Sequence, residues 1–289
     1  MPVPTTDVGL SDIAAEFGGS TPHALSEYRG YGTAPATGAI AFSDLAGASA
    51  GPSFVGSQLM TPSVVNAYSG YTHWTTSNGP RPGGVSGIQN GDLCVLLVKL
   101  GQIQQHSYLP NLSNVPSSNG SYTSLSYITT SNGYYNRVLA YWTYDSSKSS
   151  QRVGHNFTSY YTGWGVSGVL MVFRGVTTHY GYGVLTKAWN GTYASRTPDP
   201  PNVTASQQCS LWLSLMAKWD GGYNNTGDTI TSGQVSSGYT FINQDRMNQS
   251  QHSSGVAGGY KIVNATTEDP GGWGNYNDYY NIGITLGFA

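Results

Sequence analysis

Charged residues are scarce in this chain of 289 residues: lysine, arginine, aspartate and glutamate make up only 9% of it, against about 25% in soluble domains on average. The deficit argues against a mainly helical protein, because charged residues and alanine usually cover the surfaces of helices. The chain instead has 39 glycines and 22 tyrosines, and these residues, with serine, threonine and asparagine, favour turns and strands. We therefore predict an all-β fold.

Other absences limit the possible functions. The twelve cations are scattered and the net charge is −2, so the basic patch of a nucleic-acid-binding protein is missing. The longest apolar run of the main body, Leu93 to Val98, is far shorter than the roughly 20 residues that span a bilayer. The N-terminus lacks the basic and apolar regions of a secretory signal. We expect no nucleic-acid partner, no membrane insertion and no signal peptide.

Cysteines and clustered metal ligands are also rare. Cys94 and Cys209 lie in apolar runs, and we interpret them as buried, reduced thiols, with a disulfide between them as the open alternative. The six histidines stand far apart, and there is no calcium loop of alternating oxygen ligands. A nucleophile elbow and a phosphate-binding loop are missing as well. The sequence predicts no metal, no cofactor, no catalytic residues and no enzyme.

The nine acids of residues 52–289 leave one enzymatic alternative open. Glycoside hydrolysis needs two carboxylates about 5–10 Å apart, which a sequence cannot exclude. Most of these acids stand beside glycine, proline or asparagine, where their ordinary role is to cap turns. A polysaccharide depolymerase, either a hydrolase or a lyase, is the alternative function.

A short unit recurs three times near the N-terminus, as residues 10–13, 25–28 and 42–45. Each unit has the order apolar, serine, acid, apolar. We interpret it as a short helical turn with the serine as N-cap and the acid near the positive end of the helix dipole. Helices of one or two turns are unstable in water alone. We therefore expect the apolar residues of this segment to dock onto another surface.

Charge supports a boundary after this segment. Residues 1–51 carry one cation and five acids, whereas residues 52–289 carry 11 cations and 9 acids. We predict an extended N-terminal docking arm over residues 1–51, with short helical turns and no core of its own. The body then occupies residues 52–289.

The repeated units resemble an N-terminal module of tailed-bacteriophage virion proteins. The resemblance is carried by residues 8–20, 25–28 and 38–45, and it departs from the usual pattern at Leu45, where an aromatic residue is common. It implies a virion-surface structural protein, assembled in the host cytoplasm, that binds capsid or tail proteins and forms a homo-oligomer, a trimer by analogy with phage fibres. A tail fibre and a head-fibre or decoration protein both fit. The residues implied in docking are Leu10, Ser11, Asp12, Ile13, Phe17, Leu25, Ser26, Glu27, Tyr28, Phe42, Ser43, Asp44 and Leu45.

The body has the pattern of a β-sandwich or jelly roll, because short apolar runs alternate with glycine, serine, asparagine and proline. The last run alternates every second residue, and we expect it to pair into a sheet. The strongest strand predictions cover residues 93–98, 137–144, 168–174, 211–218 and 282–288.

The predicted loops combine tyrosine and tryptophan with serine, asparagine and glycine. Tyrosine and tryptophan give a large contact area with few torsions to freeze, which is typical of recognition loops, and flat rings also suit sugars. Strand packing and subunit interfaces are the competing explanation. The candidates for contact with a host-surface glycan or receptor are Tyr71, Trp74, Tyr161, Trp164, Trp219, Tyr223, Trp273, Tyr276 and Tyr279.

Overall fold

A computed structural model describes residues 3–18, 23–28, 37, 39–46, 51–59, 72–74, 84–104, 123–131, 134–144, 155–157, 166–187, 198–220, 230–249, 252–274 and 280–289. One α-helix, α1, spans Leu10–Phe17, and short 3-10 helices span Leu25–Tyr28, Phe42–Asp44 and Ser232–Gln234. The strands are β1 Ser53–Leu59, β2 Thr72–Trp74, β3 Leu93–Gln104, β4 Thr123–Ser131, β5 Tyr134–Thr143, β6 His155–Phe157, β7 Val166–Arg174, β8 His179–Lys187, β9 Val203–Asp220, β10 Thr240–Gln249, β11 His252–Glu268 and β12 Tyr280–Phe288.

The described strands form two antiparallel sheets of five strands each and a small ribbon of β2 with β6. The first sheet has the order β1-β7-β3-β5-β4, and the second has the order β10-β11-β9-β12-β8. The all-β prediction is confirmed. Each of the five strongest strand predictions falls on a strand, and the last of them, β12, is paired on both sides, with β9 and with β8.

A single hydrophobic cluster takes residues from both sheets. Leu93, Val95 and Leu97 of β3 belong to it, as do alternate residues of β9 from Leu211 to Ala217 and of β12 from Ile282 to Phe288. Alternation follows from strand geometry, since successive side chains point to opposite faces. The other face of β3 is also buried, because Leu96 has no exposed surface. This explains why the β3 run is apolar throughout.

Contacts between the sheets identify two common ends. At the entry end, where the chain reaches β1, the Phe173 ring lies 5.6 Å from the Tyr260 ring. At the opposite end, which we call the far end, Lys99 Nζ donates to the Lys218 carbonyl at 2.6 Å. Strands β3 and β9 therefore both run towards the far end.

Glycines of β8 and β12 allow the segment with Pro200 and Pro201 to lie on the outer face of the second sheet. A Cβ placed on Gly283 of β12 would lie 2.5 Å from the Pro200 nitrogen. Next to this contact, Thr285 Oγ1 donates to the Pro201 carbonyl at 2.7 Å. Glycine is needed at position 283 because any larger residue would push this segment away from the sheet.

The N-terminal segment has a core of its own, so the prediction of an extended, coreless arm is wrong. Val3, Ile13, Tyr28 and Leu45 are buried together in one cluster, against which other residues of the same segment pack. The three units thus bury their fourth residues against one another. We call residues 3–46 the N-terminal module.

Candidate functional site

The first and third repeated units share one turn, in which the acid rather than the serine makes the capping contact. Asp12 Oδ2 accepts the Gly9 N–H at 2.8 Å, and Asp44 Oδ2 accepts the Ala41 N–H at 2.8 Å. Ser11 and Ser43 come after the cap residue and are exposed. In these two units, the predicted serine N-cap was therefore wrong by two positions. The acid at the third helical position reaches back to the cap residue, which is half of a capping box.

This turn is not confined to the N-terminal module. Asp92 Oδ2 accepts the Gln89 N–H at 2.7 Å just before β3, and Gln234 Oε1 accepts the Thr231 N–H at 2.7 Å in the body. The turn is thus a general local structure of this chain. The resemblance to phage virion modules depends on the order and repetition of the units, not on the turn itself.

The thirteen predicted docking residues differ in how far their side chains are buried. Ile13, Tyr28 and Leu45 are at most 2% exposed, and the Tyr28 hydroxyl donates to the Gly18 carbonyl at 2.8 Å. Leu10, Phe17 and Leu25 pack against the same cluster. The serines of the three units and Glu27 are exposed, and Phe42 is 40% exposed. In the folded module, a partner can therefore contact Phe42 and the polar residues but not the fully buried ones.

Trp273 is a structural residue, so the prediction that it contacts a receptor is wrong. Its side chain has no exposed surface, and its Nε1 donates to Ser214 Oγ at 2.9 Å. Ser214 Oγ also lies 2.9 Å from Ser236 Oγ, which donates to the Gly271 carbonyl at 3.0 Å. The indole therefore packs against the outer face of the second sheet, with its polar atom satisfied.

Sequence reasoning missed this network. Ser214 stands within the apolar run of β9, where a serine has no distinctive signal, and Ser236 lies 22 residues away. The glycines next to Trp273 indicated a loop, and a loop residue can still be buried by tertiary contacts that the local sequence does not encode.

Two other aromatic candidates, Trp219 and Trp74, lie on strands, and the structure describes only their backbone. Trp219 pairs with Ser254 on one side and with Tyr280 on the other, at the far end of the second sheet. Trp74 pairs with His155 in the β2–β6 ribbon. The remaining candidates lie outside the described residues: Tyr71, Tyr161, Trp164, Tyr223, Tyr276 and Tyr279.

Several described acids are engaged in structural contacts. Asp92 forms an ion pair with Arg174, and Glu268 pairs with Lys261 at 2.7 Å. Asp245 Oδ2 accepts the Gly168 N–H at 2.8 Å, which links β10 to β7. Asp269 Oδ1 accepts the Gly271 N–H at 3.3 Å. The Lys261–Glu268 pair lies within β11, and the other contacts join strands or close turns.

The two cysteine thiols are unreactive, and the described residues contain no cluster of potential metal ligands. Cys94 and Cys209 are both free and buried, as predicted for reduced thiols. Burial and the nearby Asp92 carboxylate raise the pKa of Cys94 to about 12, and burial raises the pKa of Cys209 to about 11. Both thiols are protonated near neutral pH and are poor nucleophiles. No group of three His, Cys, Asp or Glu residues among the described ones could hold a metal ion.

An aromatic cluster at the entry end was not anticipated from the sequence. The His179 ring lies 4.4 Å from Trp142 of the first sheet and 5.2 Å from Phe288 of the second sheet. Its Nε2 is buried without a hydrogen-bond partner. Burial lowers the pKa of His179, an effect that a backbone hydrogen bond with Gly181 opposes. The neutral imidazole packs here as one ring of the contact between the sheets.

Comparison with known proteins does not assign a family. No protein-family model matches the chain, and no significant similarity was found to a curated protein or to a solved structure. In the described part of the chain, no helix is both long and apolar enough to cross a membrane. The functional assignment below therefore depends on the N-terminal resemblance and on the layout of the body.

Proposed function

We propose that the chain is a non-enzymatic structural protein of a tailed-phage particle, joined to the particle through its N-terminal module and presenting its β body outward. The observation that carries the proposal is that the N-terminal module joins the body at one end, whereas an aromatic candidate lies at the opposite end. The module leads into the body at Gly51, beside Gly175 at the entry end. Strand β9, with the candidate Trp219, ends at the far end. Attachment and display would then use opposite ends of one body.

Several aromatic candidates are close in sequence to residues at which strands begin or end at the far end of the body. Trp164, Tyr223 and Tyr279 lie outside the described residues, but they are two, three and one positions from Val166, Asp220 and Tyr280. These strand ends belong to both sheets. We propose that aromatic residues there, together with Trp219, contact a host-surface glycan or receptor. Tryptophan and tyrosine would supply flat stacking surfaces for such a ligand.

The finer architecture of the body is part of the same proposal. We propose that the two sheets form a β-sandwich of the jelly-roll type. The shared hydrophobic cluster, which takes alternate residues from β3, β9 and β12, supports this arrangement. The resemblance to phage fibres also supports a homo-oligomer, a trimer by that analogy, bound to capsid or tail proteins on the virion surface.

Deletion of residues 1–47 tests the attachment. The deletion ends before β1 and leaves the body cluster intact, so we expect a soluble, folded body that no longer joins particles. A full-length variant, Trp219→Ala, is the control, because it changes the far end and keeps the module. Particles made with each chain in place of the native one are purified and analysed by immunoblot. Incorporation of the deleted chain at the native level would contradict attachment through the module.

A second assay tests the non-enzymatic part of the proposal. Purified protein is incubated with host capsule or lipopolysaccharide, and the polymer length is followed by gel filtration. We expect no change in length. Shortening of the polymer would support the depolymerase alternative.

A further inference from the structure

The two flanks of the body differ in how their edge strands are protected. One flank is formed by β1 and β10, which contact each other through Asn243 Nδ2 and Ser57 Oγ at 3.1 Å. The other flank is formed by β4 and β8, since Trp142 of β5, the neighbour of β4, lies 4.4 Å from His179 of β8. An edge strand offers unpaired backbone groups to other strands, and soluble proteins usually protect such edges.

The β1–β10 flank carries recognised protective features. Strand β10 has Asp245 and Arg246 near its middle, and the Asp245 side chain points inward to the Gly168 N–H. Both strands also have a register shift, at Phe54/Gly56 in β1 and at Phe241/Asn243 in β10. Inward charges and bulges both hinder the addition of another strand.

Strand β8 lacks these features over most of its length. It has nine residues, no proline and a single charged residue, Lys187, at its end. Its register with β12 is regular except for one shift at the start of β8. Tyr182 is 58% exposed and Leu185 is 37% exposed. No described strand pairs with β8 on the side away from β12.

We propose that β8 pairs with β8 of a second copy of this chain, so that the second sheet continues across a subunit interface. The strand is complementary to itself in an antiparallel arrangement centred on Gly183. In that register, Tyr182 lies opposite Val184 of the partner subunit, and Leu185 lies opposite Gly181 of the partner subunit. Large residues thus meet smaller ones, and no like charges oppose each other, which favours cross-strand pairing. An uncharged edge of this kind suits another copy of itself better than a charged strand.

The test measures the oligomeric state of the full chain. Sedimentation equilibrium over a range of protein concentrations compares the native chain with the double variant Tyr182→Lys/Leu185→Lys. The control is Ile262→Lys, which places a charge at a 50% exposed apolar residue of β11 in the same sheet. We expect the native chain to associate, the double variant to dissociate at least about tenfold more readily, and the control to behave as the native chain. A tenfold change corresponds to about 1.4 kcal/mol.

Three results would overturn the inference: a native chain that is monomeric at high concentration, association that the β8 variants leave unchanged, or equal weakening by Ile262→Lys. Circular dichroism checks that each variant is folded. If the double variant does not fold, amide hydrogen exchange of the native chain replaces it. Exchange in β8 should slow as the protein concentration rises, and exchange independent of concentration would contradict pairing. Antiparallel pairing of one strand with its own copy is two-fold symmetric and joins two chains, so this contact is separate from the threefold assembly taken from the resemblance to phage fibres. The inference therefore does not depend on the proposed function. Loss of particle incorporation, in contrast, tests the phage assignment separately.

Discussion

The carboxylate of Asp92 and the guanidinium of Arg174 form a two-point ion pair, with Oδ1 3.0 Å from Nε and Oδ2 3.0 Å from Nη2. Asp92 is 2% exposed and immediately precedes β3, and Arg174 is the last residue of β7. The two strands are neighbours in the first sheet. The pair therefore fixes the entry end, where the chain from the N-terminal module reaches the body.

Breaking this pair should destabilise the body. In Arg174→Met, the Asp92 carboxylate keeps the Gln89 N–H but loses its cationic partner, which leaves a buried charge poorly compensated. Since the Arg174 side chain is 33% exposed, we expect a loss of about 2 kcal/mol in the free energy of unfolding, less than for a fully buried pair. Denaturant unfolding measures it. Arg174→Lys should lose less, and a change under about 0.5 kcal/mol for Arg174→Met would contradict the assigned role.

Replacement of Trp273 should affect stability and leave binding unchanged. Trp273→Phe retains an aromatic ring but leaves Ser214 without the indole donor, and we expect a loss of about 1–2 kcal/mol in the free energy of unfolding. Binding to host cells should stay at the native level once the variant is folded. Trp219→Ala provides the contrast, since we propose a contact role for Trp219. Loss of binding by a stable Trp273→Phe protein would instead show that Trp273 takes part in receptor contact.

The acids and serines of the N-terminal module should respond differently to substitution. Asp12→Ala removes the acceptor of the Gly9 N–H and should destabilise helix α1 by about 0.5–2 kcal/mol. Ser11→Ala changes an exposed residue with no capping contact and should have almost no effect. Hydrogen exchange of the amides in residues 10–17 of the full chain measures the effect of each substitution on helix α1. Equal effects of the two substitutions would mean that the serine stabilises the turn after all.

A methyl group at Gly283 should disturb the outer face of the second sheet. In Gly283→Ala, the new Cβ would lie 2.5 Å from the Pro200 nitrogen, so the proline segment must move. We expect a loss of about 1–3 kcal/mol in the free energy of unfolding, the usual range for overpacking. Gly233→Ala is a matched control, because its nearest neighbour, Thr231 Oγ1, would be 4.0 Å away. Equal stability of the two variants in thermal unfolding would contradict close packing at Gly283.

The stability of the protein should depend on pH through His179. Because burial lowers its pKa in the folded state, the unfolded chain takes up a proton at a higher pH than the folded chain. The free energy of unfolding should therefore fall as the pH drops below about 6.5, the ordinary histidine pKa. His179→Phe keeps a ring between Trp142 and Phe288 and should reduce this pH dependence. Thermal unfolding at pH 7.5 and pH 5 measures the difference between the two proteins, and identical slopes would contradict it.

The sequence was sufficient for features that local patterns encode. The alternation in residues 282–288 and the continuous apolar run in residues 93–98 predicted β12 and β3, because side-chain periodicity follows directly from strand geometry. Contacts between distant residues were not predictable in this way. Ile13, Tyr28 and Leu45 meet in one cluster although each belongs to a different unit. The burial of Trp273 likewise depends on Ser214, 59 residues away.

The most direct test of the proposed phage assignment is to locate the body on intact particles. Gold-labelled antibodies raised against residues 52–289 are bound to purified particles and viewed by electron microscopy, with particles lacking this chain as the control. We predict labelling of native particles at a defined position on the capsid or tail, and none of the control. Native particles without label, together with absence of the chain from their protein content by mass spectrometry, would contradict the assignment.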